Sequence, residues 1–166
     1  MIMLKIDITD KKISDLLIED GRMSCSEIAK KIGGISERAV RYRIDRLISN
    51  NVIAVHGNVN SRGLGLEVFA DVFIEVEPSQ VQEIAKKLAV FESVSYVACS
   101  TGERDISIQV FAKSNNELYN FVTEVIGHIP GVRKTHTSFV PIIIKDDHLW
   151  HIPSYCIQDE KQAKTE

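Results

Sequence analysis

Apolar positions in the first fifty residues recur with helical period, in three short bursts separated by polar breaks. Ile13, Leu16 and Leu17 form the first stripe, opened by Asp7 as a cap with Asp10 three residues on, and stopped by Gly21. Ser24 and Glu27 make a capping box, after which Cys25, Ile28, Ala29 and Ile32 run at i, i+3, i+4 and i+7. Gly33 and Gly34 break this second helix. Ser36 caps a third, whose buried side is Val40, Ile44 and Leu47. The chain then passes Asn50 and Asn51 into an apolar run, 52–55, expected as a wing or a linker strand. From residue 67 the pattern turns to β-branched and aromatic runs. Val68, Ala70, Val72, Ile74 and Val76 share one face of a strand over 67–76, and Pro78-Ser79 opens a helix carrying Val81, Ile84, Ala85 and Leu88. Strands over 94–99 and 106–112 flank a hairpin-type loop. Asn115 or Asn116 caps the next helix, with Leu118, Phe121, Val122, Val125 and Ile126, and Pro130-Gly131 turns into a last strand over 132–144.

The second half therefore reads β-α-β-β-α-β, with both helices on one face of a four-stranded antiparallel sheet. The fold class expected is α+β. It comprises an N-terminal three-helix (winged) helix-turn-helix domain over 1–52, a linker strand over 53–66, a ferredoxin-like βαββαβ domain over 67–145 and a tail over 146–166. Apolar residues of both parities (Phe69, Phe73, Val97, Cys99, Phe139) suggest that a second copy covers the open face of the sheet.

Charge sharpens the picture of the third helix. Arg38, Arg41, Arg43 and Arg46 lie within nine residues. Residues 1–62 hold 11 Lys+Arg against 8 Asp+Glu, a net of +3, while the remainder is −6 and the whole chain −3. On a wheel of ~100° per residue, Arg38, Tyr42 and Asp45 oppose the buried side, with Arg41 and Arg46 flanking. The DNA-binding set expected is Ser36, Glu37, Arg38, Arg41, Tyr42 and Arg46. Glu37, Arg38, Arg41 and Tyr42 sit in the N-terminal turns that meet base edges, Arg46 suits a phosphate, and Arg43 suits an internal carboxylate. An apolar content of 44 % excludes wholesale disorder. No apolar run approaches the ~20 residues of a membrane span, and the N-terminus lacks a signal-peptide pattern. Three widely spaced cysteines fit a reducing cytoplasm.

The stretch Ile6-Asp7-x-x-Asp10-x-x-Ile13, then Asp20-Gly21-Arg22-x-Ser24-x-x-Glu27-Ile28-Ala29, then Ser36 through Arg43-Ile44-x-Arg46-Leu47, resembles the Lrp/AsnC transcription regulators. The resemblance continues through Val52-Ile53, Leu64-Gly65, Thr101-Gly102-x-x-Asp105 and Ile129-Pro130-Gly131-Val132-x-x-Thr135-x-Thr137. It implies a DNA-binding domain followed by a ligand-sensing domain of the kind called RAM, dimers that often assemble to tetramers or octamers, and an amino-acid effector. Carried over by position, the effector-binding candidates are Thr101, Gly102, Glu103, Arg104, Asp105, Thr135, His136 and Thr137. Two departures stand out: Gly33-Gly34-Ile35-Ser36 is one residue longer than the usual Gly-Leu-Ser turn, and Glu103-Arg104 replaces a small acidic and an aromatic residue.

Other chemistry is thin. His148, His151 and Cys156 form no convincing metal set, and no nucleophile–base pair or phosphate-binding glycine loop is visible, so neither catalytic residues nor a cofactor is expected. Siroheme decarboxylases share the resembled architecture and are the alternative. Their members carry histidine and arginine around the strand region where this chain has only Arg104. The expected partners are double-stranded DNA at a palindromic operator, a small effector and further copies of the chain, with no membrane.

Overall fold

Each helix of the N-terminal region begins on a side chain that satisfies its free N–H groups. The computed structural model describes residues 4–102 and 104–158, in two units: Met1–Asn58 with Lys145–Glu166, and Val59–Ile144. In the first unit α1 spans Ile8–Glu19, α2 Cys25–Ile32 and α3 Glu37–Ser49. Asp7 accepts the Asp10 N–H at 2.8 Å while the Asp10 carboxylate accepts the Asp7 N–H at 3.1 Å, a reciprocal box in which Asp10 does more than charge the helix end. Ser24 and Glu27 repeat the arrangement for α2, and Ser36 accepts the Ala39 N–H for α3.

The end of α1 differs from expectation. Its C-cap is Asp20 in an extended conformation, with the Asp20 N–H on Leu16 O, so the helix stops before Gly21. Gly33 and Gly34 do need glycine, at φ 72° and 69°. Ile13, Ile28 and Val40 are fully buried at the meeting of the three helices, joined by Leu16, Ile35 and Ile44. Residues 52–55 form neither a wing nor a strand, and no strand lies within 53–66, because the backbone there meets no partner strand among the described residues. Only a short 3₁₀ turn, Arg62–Leu64, breaks that stretch. The tail is not separate: Ile157 bridges Ile6 in parallel, and Gln158 N–H donates to Ile6 O at 2.9 Å.

The second unit holds β1 Val68–Val76, α4 Val81–Leu88, β2 Val94–Cys99, β3 Ile106–Ala112, α5 Asn115–Asn120 and β4 Val132–Phe139. The strands lie in the order β2-β3-β1-β4, all neighbours antiparallel. Strict alternation along β1 and β3 buries Ala70, Val72, Ile74, Ile106, Ile108 and Val110 under the helices. Ser114, not Asn115 or Asn116, caps α5 by accepting the Glu117 N–H, and the helix runs on as a π-helical segment, Phe121–Ile126. β4 ends at Phe139 rather than 144, since Val140 N–H makes the last bond to Phe69 O and Pro141 has no N–H to continue.

The open face of the sheet carries Phe69 stacked on Phe111 at 4.7 Å, with Phe73 and the half-exposed Tyr96. Register corrects part of the expected set. Val97 lies opposite Ile108, Cys99 opposite Ile106 and Phe139 opposite Ala70, so these three share the helix-covered parity. Among the described residues no helix is long and apolar enough to cross a membrane.

Candidate functional site

The outward face of α3 is built from underneath by two acids on α1. Asp10 is 0 % exposed and accepts from Arg43 Nη1 at 2.7 Å and Arg46 Nη2 at 2.5 Å, while Asp7 accepts from Arg43 at 2.7 Å. One arginine shared by two acids and one acid shared by two arginines fix the rotation of α3 about its own axis. Burial alone raises the Asp7 pKa, but the Asp10 N–H and the Arg43 guanidinium outweigh it and hold this carboxyl below the usual range. Desolvation pulls Arg43 the other way, and its hydrogen bonds to Asp7 and Asp10 leave it above its ordinary value.

That rotation sets which expected DNA contacts are free. Ser36, Glu37, Arg38, Arg41 and Tyr42 are all exposed. Arg41 is 64 % exposed and pairs with Glu37 of the same helix at 3.0 Å, a surface pair that opens at little cost. Arg43 anchors carboxylates, as its position near the core edge predicts. Arg46 does not stand out for phosphate: its side chain is 28 % exposed and bonded to Asp10, with Nε buried and unpartnered. The sequence carried a signal for this, since Asp7 and Asp10 at i, i+3 match Arg43 and Arg46 at the same spacing.

The expected effector residues occupy three different environments. Thr101, Gly102 and Arg104 are exposed on the loop between β2 and β3, with Gly102 at φ 135°; Glu103 lies outside the described residues. The Arg104 guanidinium stacks 4.3 Å from the Phe73 ring centre, and Ser100 Oγ donates to Arg104 O. Asp105 is turned inward instead. Its Oδ2 accepts the Val76 N–H at 2.8 Å, at the point where the pairing of β1 with β4 shifts register, and Arg133 comes within 3.9 Å. On β4, Thr135 and Thr137 lie opposite Ile74 and Val72, on the helix-covered parity, whereas His136 lies opposite Phe73 on the open face, 3.7 Å from Glu75. Thr137 lines a groove of about 490 Å³ with Leu118, Tyr119, Val122, Thr123 and Phe139. Three consecutive strand residues cannot serve one pocket from one face. Sequence reasoning missed Phe73, Glu75 and Arg133, which only strand register brings to this end of the sheet.

His148 and His151 do not converge on Cys156 as ligands. His151 Nδ1 lies 2.7 Å from Asp15, and the His148 ring meets His56 edge-on at 6.3 Å. Among the described residues no three histidines, cysteines or acids are grouped to hold a metal.

Residues 6–54 match the family described as winged helix-turn-helix DNA-binding, and residues 69–150 the one described as Lrp/AsnC ligand binding domain. An uncharacterized HTH-type transcriptional regulator of Pyrococcus furiosus is 38% identical over 141 residues, covering 84% of this chain and 95% of the relative. The HTH-type transcriptional regulator LrpA of Pyrococcus horikoshii is 35% identical over 136 residues, covering 81% and 96%. Among solved structures, a Neisseria meningitidis transcriptional regulator in complex with L-Met superposes with a TM-score of 0.78 at 23% identity, covering 86% of this chain and 94% of that one. A helix-turn-helix whose arginines are sorted into anchors and exposed groups, joined to a βαββαβ sheet and matched along nearly its whole length, places the chain in the Lrp/AsnC family of DNA-binding transcriptional regulators.

Proposed function

We propose that the chain is a sequence-specific regulator, acting in the cytoplasm as a homodimer or larger assembly, whose assembly or DNA binding responds to a small effector of the amino-acid class. The observation that carries this reading is the exposed set Glu37, Arg38, Arg41 and Tyr42 at the front of α3, held outward by the Asp7–Asp10 clamp. Two such helices in a dimer reach successive major grooves ~34–36 Å apart, which asks for a palindromic operator. The effector part is supported by the L-Met complex of the Neisseria regulator, which has the same fold, and by the exposed Thr101-Gly102 backbone beside Arg104. These likenesses do not favour the siroheme decarboxylase alternative.

Gel-shift titration with duplexes selected from a random-sequence pool tests the DNA-binding part. Arg41→Ala is expected to weaken binding by about tenfold with the fold retained, and to flatten the dependence of affinity on salt; undiminished binding removes Arg41 from the interface. Calorimetry of the full chain against a panel of amino acids tests the effector part. Arg104→Ala is expected to lose the heat of binding while selected duplexes are still bound; unchanged heat removes Arg104 from the site.

A further inference from the structure

The chain passes between its two units twice, once near residues 58–59 and again near residues 144–145. After the second passage it returns to the helix-turn-helix unit and fastens to α1 at two points. At the front of the helix Ile157 bridges Ile6, and the Gln158 N–H donates to Ile6 O at 2.9 Å, one residue before the Asp7 cap. Two turns further on, His151 Nδ1 sits 2.7 Å from Asp15 Oδ1, whose carboxylate also holds Lys11 at 2.7 Å. Ile152 and Pro153, between these points, and Trp150 just before them line a groove of about 620 Å³ together with Leu17, Ile18 and Val55. The fastening residues 151–158 lie beyond residue 150, where the family match ends.

The helix so held is the one that holds the reading helix. Asp7 and Asp10 of α1 grip Arg43 and Arg46 of α3. We infer that residues 151–158 are a strap: by fixing α1 they fix the pose of α3, and they give the sheet unit a second covalent line to the DNA-reading surface beside the 53–66 connection. The proposal rests on the DNA-binding reading only for its last step. The hold on α1 stands on geometry alone.

The test uses the full chain, a chain ending at Trp150, and the pair Gln158→Pro and Gln158→Ala. Proline removes the N–H that reaches Ile6 O, and the extended Ile157 before it (φ −83°, ψ 127°) accepts a following proline without strain. Alanine keeps the N–H. Amide hydrogen exchange in α1 is expected to accelerate about threefold to tenfold in the truncated and proline chains. In the alanine chain, and in β1 of all four, it stays unchanged. Affinity for duplexes selected by the full chain falls in the same order. Unchanged α1 exchange in the truncated chain overturns the strap. Faster exchange with undiminished duplex affinity overturns its control of the reading helix. If the full chain enriches no duplex, the DNA-binding reading fails, and the exchange result alone decides whether the strap holds α1.

Discussion

Asp10 occupies a position where a carboxylate is normally excluded, fully buried at the junction of α1 and α3. It persists because three groups donate to it: the Asp7 N–H, Arg43 and Arg46. Removing it strands Arg46 and leaves Arg43 with Asp7 alone, and both arginine side chains are about three-quarters buried. Asp10→Ala is therefore expected to destabilise the helix-turn-helix unit by about 3 kcal/mol. Asp45→Ala, on the exposed side of α3, should stay within about 0.5 kcal/mol. Urea titration followed by circular dichroism distinguishes them. Acid acts on the same cluster through Asp7. Its folded pKa is below the ordinary 3.8, as is that of Asp15 under Lys11 and His151, so each favours the folded state above about pH 4. That contribution disappears as pH falls through the lower folded value, because the unfolded chain binds the proton first. Melting temperature should hold from pH 7 to about 5 and drop below about 4, with a shallower drop in Asp7→Asn.

At the scale of elements, what was legible in the sequence was local, and what was not depended on distant partners. The capping box at Ser24, the break at Gly33-Gly34 and the alternation of β1 depend on neighbours a few residues away, so spacing alone locates them. Even the missed cap of α5 left a local trace, since Ser114 and Glu117 form the same S-x-x-E spacing, masked by two asparagines that also cap well. The Arg46–Asp10 bond spans thirty-six residues, and the matched i, i+3 spacing at its two ends does not by itself say that they meet. The parity of Val97, Cys99 and Phe139 likewise requires knowing which strand lies alongside. Asp105 illustrates the consequence for the candidate site. The resemblance implies an effector role for it, and in the fold its carboxylate accepts the Val76 N–H beside the register shift of β1. Asp105→Ala is expected to cost the sheet unit about 1–3 kcal/mol by stranding the Val76 N–H. Asp105→Asn keeps an acceptor and should cost less. Thermal unfolding of both variants without effector separates this structural role from ligand contact, which an effector titration alone confounds.

For the molecule as a whole, the decisive feature is an apolar face with helices on one side of the sheet only. Phe69, Phe73 and Phe111 line the other side with Tyr96, which is 51 % exposed, and polar Asp71, Gln109 and Ser138 share that parity. A face of this kind suits burial against an identical face, the pairing that the proposed homodimer needs. In the proposed dimer, DNA binding would gain from effective concentration: a second half-site would be met by a helix already tethered to the first, which raises avidity by ~10²–10⁴ without a new contact. Placing a charge in the middle of that face, as Phe111→Asp, is expected to shift sedimentation from dimer to monomer. The helix-covered core, to which Phe111 does not contribute, remains folded by circular dichroism. Binding to a duplex with two half-sites should then collapse to the level of a duplex with one, while single-half-site affinity stays as in the unaltered chain. Retention of two-site avidity in a chain that sediments as a monomer excludes the sheet face as the source of the pairing.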